Sequence, residues 1–152
     1  MDYYTKLALM GGVVIALGGG VVLHEWSNRR RAMRLLGTRP ALDPAAFGRA
    51  YFGESERRAS LAAQVREVLA EHVPYGLEGL APDDAFVQDL RMDQLDSMST
   101  VELVLGLEQR FGIKISDEDA QGVRNFRQLV DYLETHVPDD RLAPESERAG
   151  EQ

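Results

Sequence analysis

Apolar residues recur with α-helical spacing through the second half of the chain, and no long segment alternates with the two-residue period of a strand. The first apolar stripe begins at Leu61 and ends before Pro74, where a helix has to stop. The members of a second stripe are expected mostly to share one helical face: Val101, Val104, Leu105 and Phe111. The pattern predicts an all-α fold.

Capping residues set the limits of the second helix. Ser99 and Glu102 have the spacing of a capping box, so this helix is expected to start within residues 96–99 and to end near Gly112. A loop of about twenty residues precedes it, and loops of that length are usually functional or packed against a core. The apolar residues expected to hold this loop down are Leu77, Leu80, Phe86, Val87 and Leu90.

Two shorter helices complete the predicted bundle. Ser116 is expected to cap a helix that ends near Gly122, and Asn125 to cap a last helix that stops before Pro138. The inner stripe of the last helix is Phe126, Leu129, Val130 and Leu133.

A run of seventeen uncharged residues, Leu7–Leu23, precedes these helices. As a helix it would be about 25 Å long, at the short end of the range for a membrane crossing. Lys6 stands before it, whereas four arginines follow it closely: Arg29, Arg30, Arg31 and Arg34. Because positive flanks stay in the cytoplasm, we predict a single transmembrane helix with its N-terminus outside. A cleavable signal peptide, with its positive charge ahead of the apolar run, is the main alternative.

The next segment, residues 27–55, is predicted to be a basic juxtamembrane linker containing a short helix, with arginines available to anionic headgroups. Asp43 suits its N-cap, Pro44 its first helical position and Gly53 its end. Three aromatic residues have two places to bury, the membrane surface or the following domain: Phe47, Tyr51 and Phe52. The predicted division is a membrane anchor at 1–26, this linker at 27–55, a helical domain at 56–138 and a disordered tail at 139–152.

The formal charge of −8 is distributed unevenly over the 152 residues. Residues 1–58 carry nine Lys and Arg against five Asp and Glu, a net of +4, whereas residues 59–152 carry eight against twenty, a net of −12. No nucleic-acid partner is expected, because the part of the chain after the arginines is strongly acidic. There is no cysteine, so the chain has neither disulfides nor a thiol nucleophile of its own.

The residues do not predict an enzyme. A serine nucleophile needs an adjacent base, and no histidine is close to Ser97 in sequence. The Gly-x-Ser-x-Gly elbow is also absent. The acidic clusters lack the order of a calcium loop, so no metal site is predicted.

Ser97 stands where a helix start offers free N–H groups and positive dipole charge to a phosphate. The sequence around it, DSM at 96–98, TVELV at 100–104 and FGI at 111–113, resembles the acyl carrier protein family. The resemblance extends from about Leu61 to Val137. It implies that the domain at 56–138 is a small four-helix bundle behind the transmembrane helix.

The resemblance also implies a cofactor and partners. A phosphopantetheinyl transferase would attach 4′-phosphopantetheine to Ser97, with Asp96 and Met98 as the flanking motif residues. Enzymes that load and accept acyl groups would dock their basic patches on acidic residues of this chain: Glu102, Glu108, Asp117, Glu118 and Asp119. The acyl chain would lie between the helix after Ser97 and the short helix after Ser116, against residues such as Met98, Val101 and Ile115.

Two features depart from the fatty-acid type of carrier. Met98 stands where leucine is usual, and the loop at residues 91–95 is longer. Together with the anchor at residues 7–23, they argue against a general fatty-acid carrier. We therefore predict an acyl carrier protein tethered to the bacterial inner membrane, with its carrier domain in the cytoplasm. Two alternatives stay open: an aminoacyl carrier of the D-alanyl or peptidyl type, and a non-shuttling adaptor that docks a partner through the bundle.

Overall fold

The computed structural model describes residues 29–92 and 97–142, with the side chains of residues 97 and 98 left out. Its helices are α1 (29–37), α2 (Pro44–Phe52), α3 (Glu56–His72), α4 (Ser97–Phe111), α5 (Asp117–Gly122) and α6 (Phe126–His136), followed by a 3-10 turn at Asp139–Arg141. Within these ranges there is no strand, only one isolated bridge between Ala85 and Asn125. The predicted all-α class is confirmed for the described residues.

Side-chain caps start the helices where the sequence predicts. The Asp43 carboxylate accepts the N–H of Ala46 at 2.8 Å, and Pro44 occupies the first turn of α2. Ser116 accepts the N–H of Asp119 at 3.1 Å at the start of α5. Asn125 accepts the N–H of Gln128 at 2.9 Å at the start of α6. These local bonds satisfy donors that a helix leaves without partners.

The core is built mainly from α3 and α6, with contributions from every other helix except α5. The predicted stripes of these two helices are buried: Leu61, Val65, Val68 and Leu69 on α3, and Phe126, Leu129, Val130 and Leu133 on α6. Of the loop residues expected to cover this core, Leu77, Leu80 and Leu90 are buried, whereas Val87 is 47% exposed.

The buried face of α4 differs from the predicted one. Val101 is 56% exposed and Leu105 is 44% exposed, whereas Leu107 and Phe111 are buried and Leu103 packs against the core. The inward residues follow one another at intervals of four, which places them on one face of a helix. Apolar residues occupy most of the circumference of α4, so the sequence pattern was wrong for Val101 and Leu105, whereas Val104 is half-buried and Phe111 is buried.

The short helix of the predicted linker packs against the helical domain. The rings of Phe47 and Phe126 meet edge to face with centroids 5.0 Å apart, and Phe52 lies 5.9 Å from Phe126. Phe47 and Phe52 are fully buried, while Tyr51 remains 38% exposed. The two phenylalanines therefore bury in the domain and not at a membrane surface.

Helix α1 is also fixed to the body of the protein. Ala32 and Leu36 are buried, and the carbonyl of Leu36 lies where a side chain on Gly79 would stand. The Arg39 guanidinium pairs with the Asp84 carboxylate at 2.5 Å and donates to the Gly79 carbonyl at 3.3 Å. The later part of the basic segment thus belongs to the packed structure.

The structure describes part of the predicted C-terminal tail but not the predicted transmembrane helix. Residues 139–142, expected within the disordered tail, instead form a 3-10 turn whose Leu142 is only 5% exposed, because that side chain joins the core. The guanidinium of Arg57 pairs with Asp139 at 2.9 Å and fixes this turn.

The predicted transmembrane helix at residues 7–23 lies outside the described residues. Within residues 29–92 and 97–142, no helix has the length and apolar character needed to cross a bilayer.

Gly79→Ala should destabilise the protein by about 1–3 kcal/mol, because the added methyl group overlaps the Leu36 carbonyl and pushes α1 away. Urea denaturation measures the change in unfolding free energy. Gly122→Ala is the matched control, since the space beside Gly122 is open. It should be neutral or stabilise by up to about 1 kcal/mol. Equal stabilities for the two variants would contradict the close contact.

Candidate phosphopantetheine site

Ser97 is the first residue of α4, so it stands at the end of the helix where backbone N–H groups lack helical acceptors. The first turn contains no acidic residue, so no carboxylate in that turn opposes an anion at this position. Asp96 lies outside the described residues, and Met98 is described only by its backbone. The helix start fits a phosphate ester through its N–H groups and its dipole.

The loop before the site is held at both of its ends. The hydroxyl of the half-buried Tyr75 donates to the carbonyl of Leu90, and the N–H of Met92 donates to the carbonyl of Phe86 at 2.8 Å. The N–H of Phe86 in turn reaches the carbonyl of Arg124 at 2.9 Å, next to α6. These bonds fix the loop up to Met92, four residues before the predicted motif.

Arg91 adds a local constraint on this loop. Its φ of 56° lies in the left-handed region, which residues other than glycine rarely adopt. The unusual backbone coincides with the start of the segment that the sequence identified as longer than in the fatty-acid type of carrier. Arg91 therefore marks the start of this segment with a backbone conformation that is unusual for arginine.

An apolar cavity of about 310 Å³ opens beside α4. Four α4 residues line it, Thr100, Leu103, Val104 and Leu107, and the first of them comes three residues after Ser97. Ile115, Ala120 and Val123 line it from α5 and its flanking loops, and Leu129 and Tyr132 line it from α6. Of the predicted lining residues, Ile115 is present, Val101 instead faces solvent, and the side chain of Met98 is not described.

Asp119 and Tyr132 form the polar part of the cavity wall. The Asp119 carboxylate accepts from the Ser116 hydroxyl at 2.8 Å and from the Tyr132 hydroxyl at 3.2 Å. Burial, followed by the charge of Asp119, raises the pKa of Tyr132. The tyrosine ring also stacks on His136 with centroids 4.1 Å apart. Sequence reasoning missed Tyr132, although its spacing of three from Leu129 places it beside the buried stripe.

The predicted docking residues fall into two groups. Glu102, Asp117 and Glu118 are exposed on α4 and α5. Glu108 has an internal role, since its carboxylate accepts the N–H of Ile115 at 2.9 Å and its side chain is only 11% exposed. That bond, together with Lys114 at 3.2 Å, lowers the pKa of Glu108. Asp119 is exposed but shares its carboxylate with Ser116 and Tyr132. Docking by all five residues stays a prediction.

Residues 63–133 match the family model described as phosphopantetheine attachment site. The match begins within α3 and ends within α6, so it includes the start of α4 and the cavity. We call residues 63–133 the phosphopantetheine-binding domain, after the family that they match. Domains of this type hold a covalently attached 4′-phosphopantetheine arm, are typically not enzymes themselves, and interact with transferases and acyl-handling enzymes.

The residues of this phosphopantetheine-binding domain fit the group. The start of α4 suits its phosphate, and the cavity one turn further along α4 suits an apolar cargo. When bound, the arm supplies the thiol that a chain without cysteine lacks.

Tyr75→Phe should lower the unfolding free energy by about 1 kcal/mol at neutral pH, because the buried Leu90 carbonyl loses its donor. Burial also raises the pKa of Tyr75 to about 12. A raised folded-state pKa means that the neutral phenol stabilises the fold fully below about pH 10, and that this stability is lost as the pH rises toward about 12.

Urea denaturation of both proteins between neutral pH and about pH 11 checks this prediction. The wild type should lose its advantage over Tyr75→Phe as the pH rises above about 10. A constant difference across this range would contradict the role assigned to the phenol.

Proposed function

We propose that Ser97 is the attachment point of the phosphopantetheine arm and that the protein carries acyl groups on it as thioesters. The observation that carries this proposal is the apolar cavity beside α4, whose first lining residue, Thr100, lies one turn after Ser97. An arm attached at Ser97 therefore starts within one helical turn of the cavity that would receive the acyl chain from its far end.

The lining of the cavity favours acyl cargo over aminoacyl cargo. Most of its side chains are aliphatic or aromatic, and each methylene buried among such groups stabilises a bound chain by about 0.8 kcal/mol. A charged amine would have to give up its hydration to enter. Asp119 is the acidic group in the lining and favours the aminoacyl alternative, but its carboxylate already accepts two hydrogen bonds.

The tether is the second part of the proposal. The uncharged run Leu7–Leu23 and the arginines after it support a single transmembrane helix in the bacterial inner membrane, with the N-terminus outside and the carrier domain in the cytoplasm. Confinement to the membrane raises the effective concentration of the cargo at membrane-bound lipid or fatty-acyl enzymes. This is a reason for a carrier to have an anchor.

Electrostatic attraction supports the proposed encounter with partner enzymes. Glu102 on α4 and Asp117 and Glu118 on α5 are exposed, and opposite charge on a partner would steer its approach without requiring tight binding. Rapid release suits a protein that passes cargo on. A non-shuttling adaptor would use the same surface but would not need Ser97.

Co-expression with a broad phosphopantetheinyl transferase should add the mass of one phosphopantetheine group to the wild-type chain and none to Ser97→Ala. Intact-mass spectrometry measures the difference. Ser99→Ala, two residues further along the same helix turn, is the matched control and should be modified like the wild type. An unmodified wild type, or a modified Ser97→Ala, would contradict the assignment of Ser97.

Loading the arm with an octanoyl chain should shift the methyl NMR signals of Leu103, Ile115 and Val123, which line the cavity. Loading with an alanyl group should leave them in place, because a charged amine stays hydrated. The exposed methyl groups of Val101 serve as the internal control.

A variant that fills the cavity makes this comparison sharper. Ala120→Phe places a ring in the cavity and should abolish the octanoyl-dependent shifts, whereas Ala45→Phe, at an exposed position on α2, should keep them. Unchanged wild-type signals on octanoyl loading would contradict acyl binding in the cavity. Shifts of Tyr132 and Asp119 on alanyl loading would favour the aminoacyl carrier.

A further inference from the structure

The outward face of α1 is basic. Leu36 is buried in the core and Ala32, four residues earlier, is also buried, which places Arg30 and Arg34 on the opposite side of the helix. Arg31 is exposed on one flank, and Met33 is 56% exposed on the other. An apolar side chain thus stands in water among arginines.

The charge of this face contrasts with the rest of the molecule. Residues 29–39 carry five arginines and no acidic residue, whereas residues 40–142 carry ten basic residues against twenty acidic ones. Among the ion pairs formed by described residues, none involves Arg31 or Arg34. The positive charges of Arg31 and Arg34 are therefore available to an external anion.

The basic face is rigidly connected to the phosphopantetheine-binding domain. The carbonyl of Leu36 lies close against Gly79, and Arg39 is held by Asp84 and the Gly79 carbonyl. A groove beside α1 is lined by Met33, Arg39 and Glu78. The negative charge of Glu78 therefore lies on the side where α1 meets the domain and not on the outward face. An anion bound to α1 would therefore orient the whole body.

We propose that this face of α1 binds the surface of an anionic lipid bilayer and holds the carrier domain in one orientation on it. The proposal rests on the membrane tether of the proposed function, because the uncharged run Leu7–Leu23 ends six residues before Arg29. Arginine heads suit anionic headgroups, and an exposed methionine beside them suits the boundary between headgroups and acyl chains. The acidic body is repelled by the same surface, so α1 is the part that approaches it.

The absence of cysteine allows a direct test on the full chain. Met33→Cys is labelled with an environment-sensitive dye and reconstituted into vesicles of phosphatidylcholine with or without phosphatidylglycerol. The dye emission should shift to shorter wavelength only in vesicles that contain phosphatidylglycerol. In molar salt it should return to the wavelength seen without that lipid. Gln109→Cys, exposed on α4, carries the same label as a control and should not respond to the lipid.

Charge variants connect the signal to the arginines. The double variant Arg31→Gln, Arg34→Gln should bind the lipid surface more weakly. The ratio of molecules with α1 on the lipid to molecules with α1 off it should fall by about fivefold for each arginine removed. Arg110→Gln combined with Arg124→Gln removes the same charge from exposed positions outside α1 and should leave the signal unchanged. Circular dichroism confirms that each variant is folded.

Three results would overturn the proposal. One is an equal shift in both lipids that salt does not reverse, and another is a shift that survives loss of Arg31 and Arg34. The third is a shift produced by double-stranded DNA but not by phosphatidylglycerol. Carbonate extraction and intact mass on the same samples separate this test from the proposed function: a chain that stays in the membrane and accepts phosphopantetheine without an anionic-lipid shift overturns only the present proposal.

Discussion

Phe126 packs against Phe47 and Phe52, and all three side chains are fully removed from water. Burial of a side chain of this size stabilises a fold by about 1.5–3 kcal/mol. Phe126 belongs to the phosphopantetheine-binding domain at residues 63–133, whereas Phe47 and Phe52 belong to α2, which precedes it. The core of the domain is therefore completed by residues from outside it. The position of α6, and with it one wall of the cavity, depends on this contact.

The same dependence extends to the site. Leu103 and Leu107 of α4 line the cavity opposite Leu129 and Tyr132 of α6, so the distance between α4 and α6 sets the width of the cavity. Phe111 at the end of α4 is fully buried, and the bond from Ile115 to Glu108 holds the chain that follows it. The helix that begins at Ser97 is thus fixed from its far end.

The sequence predicts those parts of the structure that depend on neighbouring residues. Asp43, Ser116 and Asn125 cap helices because each bonds to an N–H three residues away, and that spacing is visible in the sequence. The stripes of α3 and α6 are visible for the same reason, since polar residues mark their outer faces. The predicted cofactor follows from a long ordered motif, and the family match supports it.

Other parts depend on contacts between residues distant in sequence. The inward face of α4 was predicted wrongly because Val101 and Leu105 are as apolar as Leu103 and Leu107, and only packing against α3 and α6 distinguishes them. The burial of Leu142 depends on a turn at the end of the chain, where periodicity gives no signal.

The fixed attachment of α1 and α2 has a mechanical consequence. Leu36 of α1, Phe47 and Phe52 of α2 and the inner stripe of α3 belong to one hydrophobic core, so the three helices pack as parts of one body. Movement of a group held on the arm then comes from the arm itself and not from bending between these helices. If the proposed tether holds this body at a bilayer, an acceptor enzyme would have to present its entrance at one matching height, and a slack spacer in place of α1 would remove that selection.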